Sequence, residues 1–490
     1  MRRFIASVLL CTSLAQLAAG QRTDKIIIQG NPAGTQTVQS EAGGALRAEY
    51  SYNDRGRGDH ITATWKVDAA GLPIEYQGQG NDYMKAPVEE RFELKNGRAS
   101  WKSRGEEGAQ EVTGAVFYLP LNAPPEFLSV LARALLKAPD HRLALLPAGE
   151  ARLERAGKLK IADGRELTQY RITGLGFTPQ SIWLEADGTT AASASSWLSV
   201  VPSPNEKALP KLLAAQEETE NVWARHMAKG LAHVPKSDLL IRNARLFDPR
   251  DLSVTPGSSV LVRGDRIARV GLGSELKAEA GIETIDAQGR FLMPGLWDNH
   301  QHFSSVEDGA LDLANGVTSA RDMGNDTESF LARVARYDNG SELGPRVLKA
   351  GIIDGTGEFA GPTKMRVDNA QQAREDVDWY ADHGYVQIKI YSSVKPELMP
   401  LLAERAHARG LRVSGHVPAF MSARQFVEGG ADEIQHLNFI ELYFLFPEVM
   451  ETRNRDRFIK VAEHAREFTP DKPQVREFIE FLKKHQTVLD

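Results

Sequence analysis

The sequence predicts a multidomain chain. A mostly-β N-terminal part with one helix (α+β) comes first, then a small second sheet, then an α/β part of barrel type. Three observations predict this. Apolar and polar residues alternate with period two through much of the stretch from about residue 23 to 200. Strand-like runs return between residues 238 and 290. From Phe291 onward, short β runs are separated by helical stretches. Period-two alternation is the mark of a half-buried strand. Alternating β and α implies parallel strands joined by helical crossovers. The 490 residues fit about three domains at roughly 100–200 residues each.

Composition narrows the function classes. Apolar residues make up 42 % and charged residues 25 %, which excludes wholesale disorder, a collagen-like fibre and a multi-span membrane protein. The net charge of −6, from 59 basic and 65 acidic residues, is weak and of the wrong sign for a nucleic-acid binder. The one cysteine, Cys11, excludes a disulfide framework or a cysteine metal cluster.

Residues 1–20 form a secretory signal peptide. Arg2 and Arg3 are its basic start, residues 4–17 are largely apolar, and Ala18-Ala19-Gly20 is a small-residue cleavage site. The apolar run is too short to span a bilayer, which needs about 20 residues. Export to the periplasm or the medium is expected. Lipid attachment at Cys11 is disfavoured, because Val8-Leu9-Leu10 lacks the small residues usual before such a cysteine. No later segment is long and apolar enough to cross a membrane.

Residues 21–205 read as an antiparallel β-rich domain. Ile61-Thr62-Ala63-Thr64-Trp65-Lys66-Val67 alternates cleanly, and Asn96-Gly97, Asp163-Gly164 and Asp187-Gly188 sit between strand-like runs. Such pairs tolerate φ > 0 and favour tight hairpins. A helix begins at Pro124-Pro125, with Phe127, Leu128, Leu131, Ala134 and Leu135 at helical spacing. His60 and His141 are isolated, so no catalytic cluster is expected here. Residues 206–237 form a linker with a helix over 206–230, placing Glu217, Glu218 and Glu220 on solvated faces. Residues 238–292 hold the small sheet, from Leu239-Leu240-Ile241 through Val260-Leu261-Val262 to Asp286-Ala287-Gln288-Gly289.

Residues 293–490 carry the barrel-type pattern, with strands expected at 293–301, 316–322, 345–352, 385–391, 411–416 and 432–436. Catalytic residues of α/β barrels stand at C-terminal strand ends, and histidines and a lysine fall there. In Asp298-Asn299-His300-Gln301-His302, alternation puts His300 and His302 on one face, so two imidazoles could share an ion. In Val386-Gln387-Ile388-Lys389-Ile390-Tyr391, residues 386, 388 and 390 would pack on the helices, leaving Gln387, Lys389 and Tyr391 inward. Burial depresses a lysine pKa. The neutral amine can then combine with carbon dioxide as an anionic carbamate able to bridge two cations; the plain alternative is an internal ion pair. Ser414-Gly415-His416 and Ile434-Gln435-His436 add two more strand-end histidines. His383, His407, His464 and His485 lie in helical or charged surroundings and are assigned to the surface. Imidazole with carboxylate-type ligands suits zinc, and also manganese or iron.

At these residues the sequence resembles the metal-dependent amidohydrolase superfamily. The run 292–303 is similar to its entry motif. Lys389-Ile390-Tyr391-Ser392-Ser393, Gly415-His416-Val417-Pro418 and Gln435-His436-Leu437 resemble its imidazolonepropionase-like, dipeptidase-containing branch. The resemblance covers about residues 238–490 and implies a (β/α)₈ TIM-type barrel carrying a small β-sandwich. It implies that His300 and His302 bind one divalent ion, that His416 and His436 bind a second, and that Lys389, as a carbamate, bridges them. Tyr391 is the candidate substrate contact. The family's strand-eight aspartate has no counterpart, Asp490 is not matched to it, and no catalytic residue is assigned. Residues 293–490 are also fewer than the roughly 250 of a complete barrel. The expectation is therefore an incomplete barrel, apparently truncated at its C-terminus, lacking the late sandwich strands and a poor catalyst as it stands.

The function this implies is an exported hydrolase cleaving C–N bonds (amide, peptide or lactam) of small molecules through a metal-activated water. Two other readings stay open. One is an inactive fragment or pseudoenzyme. The other is a periplasmic module in which the N-terminal β domain holds an apolar ligand.

Overall fold

The computed structural model describes residues 21–276, 280–325, 327–361 and 363–490. The expected signal peptide lies outside the described residues. The chain divides after Gln216 into two compact units.

The first unit holds two sheets where one antiparallel sheet was expected. Among the described residues, the larger has nine antiparallel strands. Eight of them, from Arg22–Ile28 to Glu107–Glu111, neighbour one another in chain order, and Leu198–Pro202 returns to pair with the first. The smaller sheet has six strands, from Val116–Tyr118 to Thr190–Ala192. Its first pair, Val116–Tyr118 with Arg142–Leu146, is parallel. Parallel neighbours need a crossover, and the helix Glu126–Lys137 supplies it. Pro124-Pro125 precedes this helix, as expected. It buries Phe127, Leu131 and Leu135. Phe127 stands edge-on to Trp65, Tyr76 and Phe117 at ring distances of 5.6, 5.1 and 5.5 Å. Phe92 stacks on Tyr118 at 4.3 Å, so aromatic rings fill this interior. Asn96 and Gly97 both take positive φ, 51° and 75°, as a tight hairpin requires. His60 is exposed, and His141 Nδ1 bonds the Leu135 carbonyl at 3.1 Å; neither joins a site.

A helix, Leu209–Leu231, carries the chain from the first unit into the second. The small sheet follows as a meander of Leu239–Asp248, Ser253–Arg263 and Arg266–Leu272, with Glu283–Asp286 and Phe291–Leu292 pairing parallel to its first strand.

Seven parallel strands then form one curled sheet in chain order among the described residues. They are Leu296–Gln301, Val317–Asp322, Arg346–Ile353, Gln387–Ile390, Arg412–Gly415, Glu433–Ile434 and Val488–Leu489. Helices including Thr327–Asp338, Ala370–Asp382 and Met399–Ala408 cross between them. The architecture is that of an incomplete TIM-type barrel, with one strand fewer than the eight of a closed one. Ile388, Ile390, Val413 and Ile434 pack outward against Val377, Tyr380, Leu402 and Phe426. One expected packing residue departs from this. Val386 is 41 % exposed, because it precedes the regular strand at the sheet's N-terminal edge, beyond the covering helices.

Candidate metal centre

Each candidate ligand stands at or just beyond the C-terminal end of a parallel strand. His300 lies in the first strand and His302 follows it. Lys389 lies in the fourth, His416 follows the fifth, and His436 follows the sixth. The turns that aim them need particular residues. A Cβ at Gly415 would lie 2.1 Å from the Ile390 carbonyl oxygen, and one at Gly324 would lie 2.1 Å from Ile352 Cγ1. Close approach therefore demands glycine beside His416 and beneath His302. His436 takes φ 64°. A non-glycine residue pays conformational energy for that region, and such residues concentrate at functional sites.

The five side chains converge. His300 and His302 have ring centroids 5.6 Å apart, His300 and His436 4.8 Å, and His416 and His436 4.9 Å. Lys389 Nζ is 3.2 Å from His300 Nε2. Tyr391 lies with its ring 4.0 Å from that of His416, at the edge of the cluster.

Three of the imidazoles are oriented through Nδ1. His302 Nδ1 donates to the Gly324 carbonyl at 2.7 Å, which makes Nε2 the bare nitrogen. His300 Nδ1 donates to Asp490 Oδ2 at 2.7 Å. His416 Nδ1 meets Ser392 Oγ at 3.0 Å, while its Nε2 is buried without a hydrogen-bond partner. A metal ligand whose second nitrogen is held by a carbonyl, carboxylate or hydroxyl is the usual arrangement at metal sites. Asp322 supports the His302 contact. Its carboxylate accepts from Phe303 N and Gly324 N, both at 2.9 Å, and so fixes the turn whose carbonyl His302 uses.

The electrostatics keep these groups in ligand-ready states. Burial, then the Lys389 charge, push His300 and His436 down to about 3. The same influences hold His416 well below its ordinary value, and His302 is lowered too. All four are neutral at pH 7, as metal ligands must be. Lys389 is 1 % exposed. Burial brings its amine down to about 7, against the opposing pull of Asp322 and Asp490. Much of it is therefore neutral near pH 7, the form that adds carbon dioxide.

Among the described residues, no three His, Cys, Asp or Glu side chains by themselves stand ready to hold one ion. Lys389, as an anionic carbamate, would complete the donor set. The residues fit two divalent ions on chemical grounds: four neutral imidazoles, one convertible amine, and a buried His416 Nε2 with no hydrogen-bond partner. The four other histidines assigned to the surface lie elsewhere. His383 stacks on Trp379 at 3.8 Å, His407 pairs with Asp432 and His464 with Glu467, each at 3.0 Å, and His485 bonds the Phe481 carbonyl at 2.9 Å.

The sequence reading gave no role at this centre to Asp322, Arg321, Ser392 or Asp490. Arg321 makes a two-pronged pair with buried Glu433 at 2.7 and 2.8 Å and reaches Asp490 at 3.2 Å. Asp490 follows the seventh strand as His416 and His436 follow theirs, and that shared strand-end position was the available signal.

The fold and site define a barrel-type α/β protein with a candidate binuclear metal centre. The comparisons with known proteins find local likenesses. No family model matches the chain. It is 40 % identical over 75 residues to the imidazolonepropionase of Anaeromyxobacter dehalogenans (strain 2CP-1), a stretch covering 14 % of this chain and 18 % of that protein. It is 36 % identical over 69 residues to adenine deaminase 3 of Rhizobium meliloti (strain 1021), covering 14 % of this chain and 12 % of that one. The chain thus spans less than a fifth of the length of either relative. Among solved structures, a Xaa-Pro dipeptidase with bound methionine in its active site aligns with a TM-score of 0.38 and 16 % identity, over 52 % of this chain and 78 % of that one. Over those short stretches the chain is similar to an imidazolonepropionase and an adenine deaminase.

Proposed function

We propose that the chain is an exported metal-dependent hydrolase of C–N bonds in small molecules, with dipeptides and N-acyl amino acids as its first candidate substrates. The observation that carries this reading is the convergence of His300, His302, His416 and His436 around a buried lysine. His300 and His302 would hold one divalent ion, and His416 and His436 a second. Lys389 would bridge them after its neutral amine adds to carbon dioxide and gives up a proton, leaving a carbamate. Zinc suits this donor set best. Two ions bound there would acidify a water molecule and polarise a carbonyl. The protein's own contribution is orientation. Gly324, Ser392 and Asp490 hold three rings, and Tyr391 stands where a substrate would meet the cluster. Export rests on the basic start and apolar run of residues 1–20.

The test is to load the 490-residue chain with zinc, manganese or iron and assay dipeptides, N-acyl amino acids and lactams. Metal-dependent release of product from any of these supports the reading. A folded, fully loaded chain that turns over none of them would make it a metal-binding pseudoenzyme.

A further inference from the structure

We propose that Asp490 is the positioning residue of this centre. It orients His300 through its side chain and His436 through its backbone. This rests on the metal-centre reading above and adds to it a residue from a strand that supplies no ligand.

Four contacts carry the inference. Asp490 Oδ2 accepts from His300 Nδ1 at 2.7 Å. That leaves His300 Nε2 with its lone pair, and the same Nε2 faces Lys389 Nζ at 3.2 Å. The Asp490 carbonyl accepts from His436 N at 2.6 Å, and Asp490 N donates to the Ile434 carbonyl at 3.1 Å. One residue therefore touches a ligand assigned to each ion. Asp490 is itself held. Arg321 reaches its Oδ2 at 3.2 Å while gripping Glu433, which is 1 % exposed, with two hydrogen bonds. The result is a chain of hydrogen bonds from Glu433 through Arg321 and Asp490 to His300.

The physical consequence is specific. A carboxylate on the far nitrogen of a ligating imidazole fixes its tautomer and ring angle and makes the near nitrogen more basic. The backbone contacts at His436 survive any change of the Asp490 side chain. A side-chain substitution should therefore weaken the ion assigned to His300 and His302, and spare the one assigned to His416 and His436.

The experiment titrates zinc into the wild-type 490-residue chain, Asp490→Asn and Asp490→Ala by chelator competition, with metal per chain counted by elemental analysis. The same substitutions are made in a His300→Ala background, and the melting temperature of each metal-free protein is measured. The proposal expects one of two affinities to fall about 10–100-fold, the other to stay within about twofold, and no further loss when His300 is already alanine. Affinities unchanged by Asp490→Asn would overturn it while leaving the metal centre standing. An equal loss in both backgrounds, with a matching drop in metal-free melting temperature, would overturn it by giving Asp490 a general structural role. A wild-type chain that binds no ion would overturn the metal-centre reading, and this inference with it.

Discussion

Lys389 has an unusual position for a lysine: almost fully buried, 3.2 Å from an imidazole nitrogen, with its amine pushed down to about 7. Lys389→Ala should lower metal content by removing the bridging anion, and His300→Ala should lower it by removing a ligand. Elemental analysis showing unchanged metal in both variants would refute the assignment. The histidines also predict a pH dependence for the metal-free protein. Unfolded, each titrates near its ordinary value of about 6.5, whereas His300 and His436 in the folded chain do so near about 3. Between those values the unfolded chain binds more protons, so stability falls as pH falls from about 6.5 toward about 3. Denaturant titrations at pH 7 and pH 5 should show a lower midpoint at pH 5, and bound metal should delay the loss. Much of the clustering was legible residue by residue, because strand alternation places His300 with His302 and points Lys389 inward. Asp490 was not. Its partner His300 lies 190 positions away, and only the curl of the sheet joins the first strand to the seventh.

At the scale of the element, the strand ends depend on close backbone approach. Gly415→Ala would put a methyl group 2.1 Å from the Ile390 carbonyl oxygen. The expected cost is about 1–3 kcal/mol, typical of overpacking, together with displacement of His416. An unchanged melting temperature would show that the fourth and fifth strands separate freely. In the first unit, Phe127→Ala removes the ring that meets Trp65, Tyr76 and Phe117. A loss of about 3–5 kcal/mol in that unit's unfolding free energy is expected, measurable by chemical denaturation. Strand positions in the barrel were readable as short β runs set between helical stretches. The helix after Pro124-Pro125 was readable from its spacing. That it joins a parallel pair was not, since the hairpin signals around it all pointed to antiparallel neighbours.

Across the whole molecule, the division after Gln216 was only partly foreshadowed. The sequence marked a connecting helix near there but gave no reason to place a boundary within it. Residues 232–237 follow that helix, are exposed, and belong to no helix or strand. Limited proteolysis should cut there first, because exposed irregular segments are nicked most readily; first cuts inside the parallel sheet would contradict this. Fold and site meet in one claim, that the C-terminal strand ends of the second unit form a binuclear metal centre. Elemental analysis of the full chain after exposure to zinc and bicarbonate, followed by exhaustive dialysis, tests it most directly. The account predicts close to two ions per chain in the wild type and a marked loss in Lys389→Ala. A folded wild-type chain that retains none would contradict it.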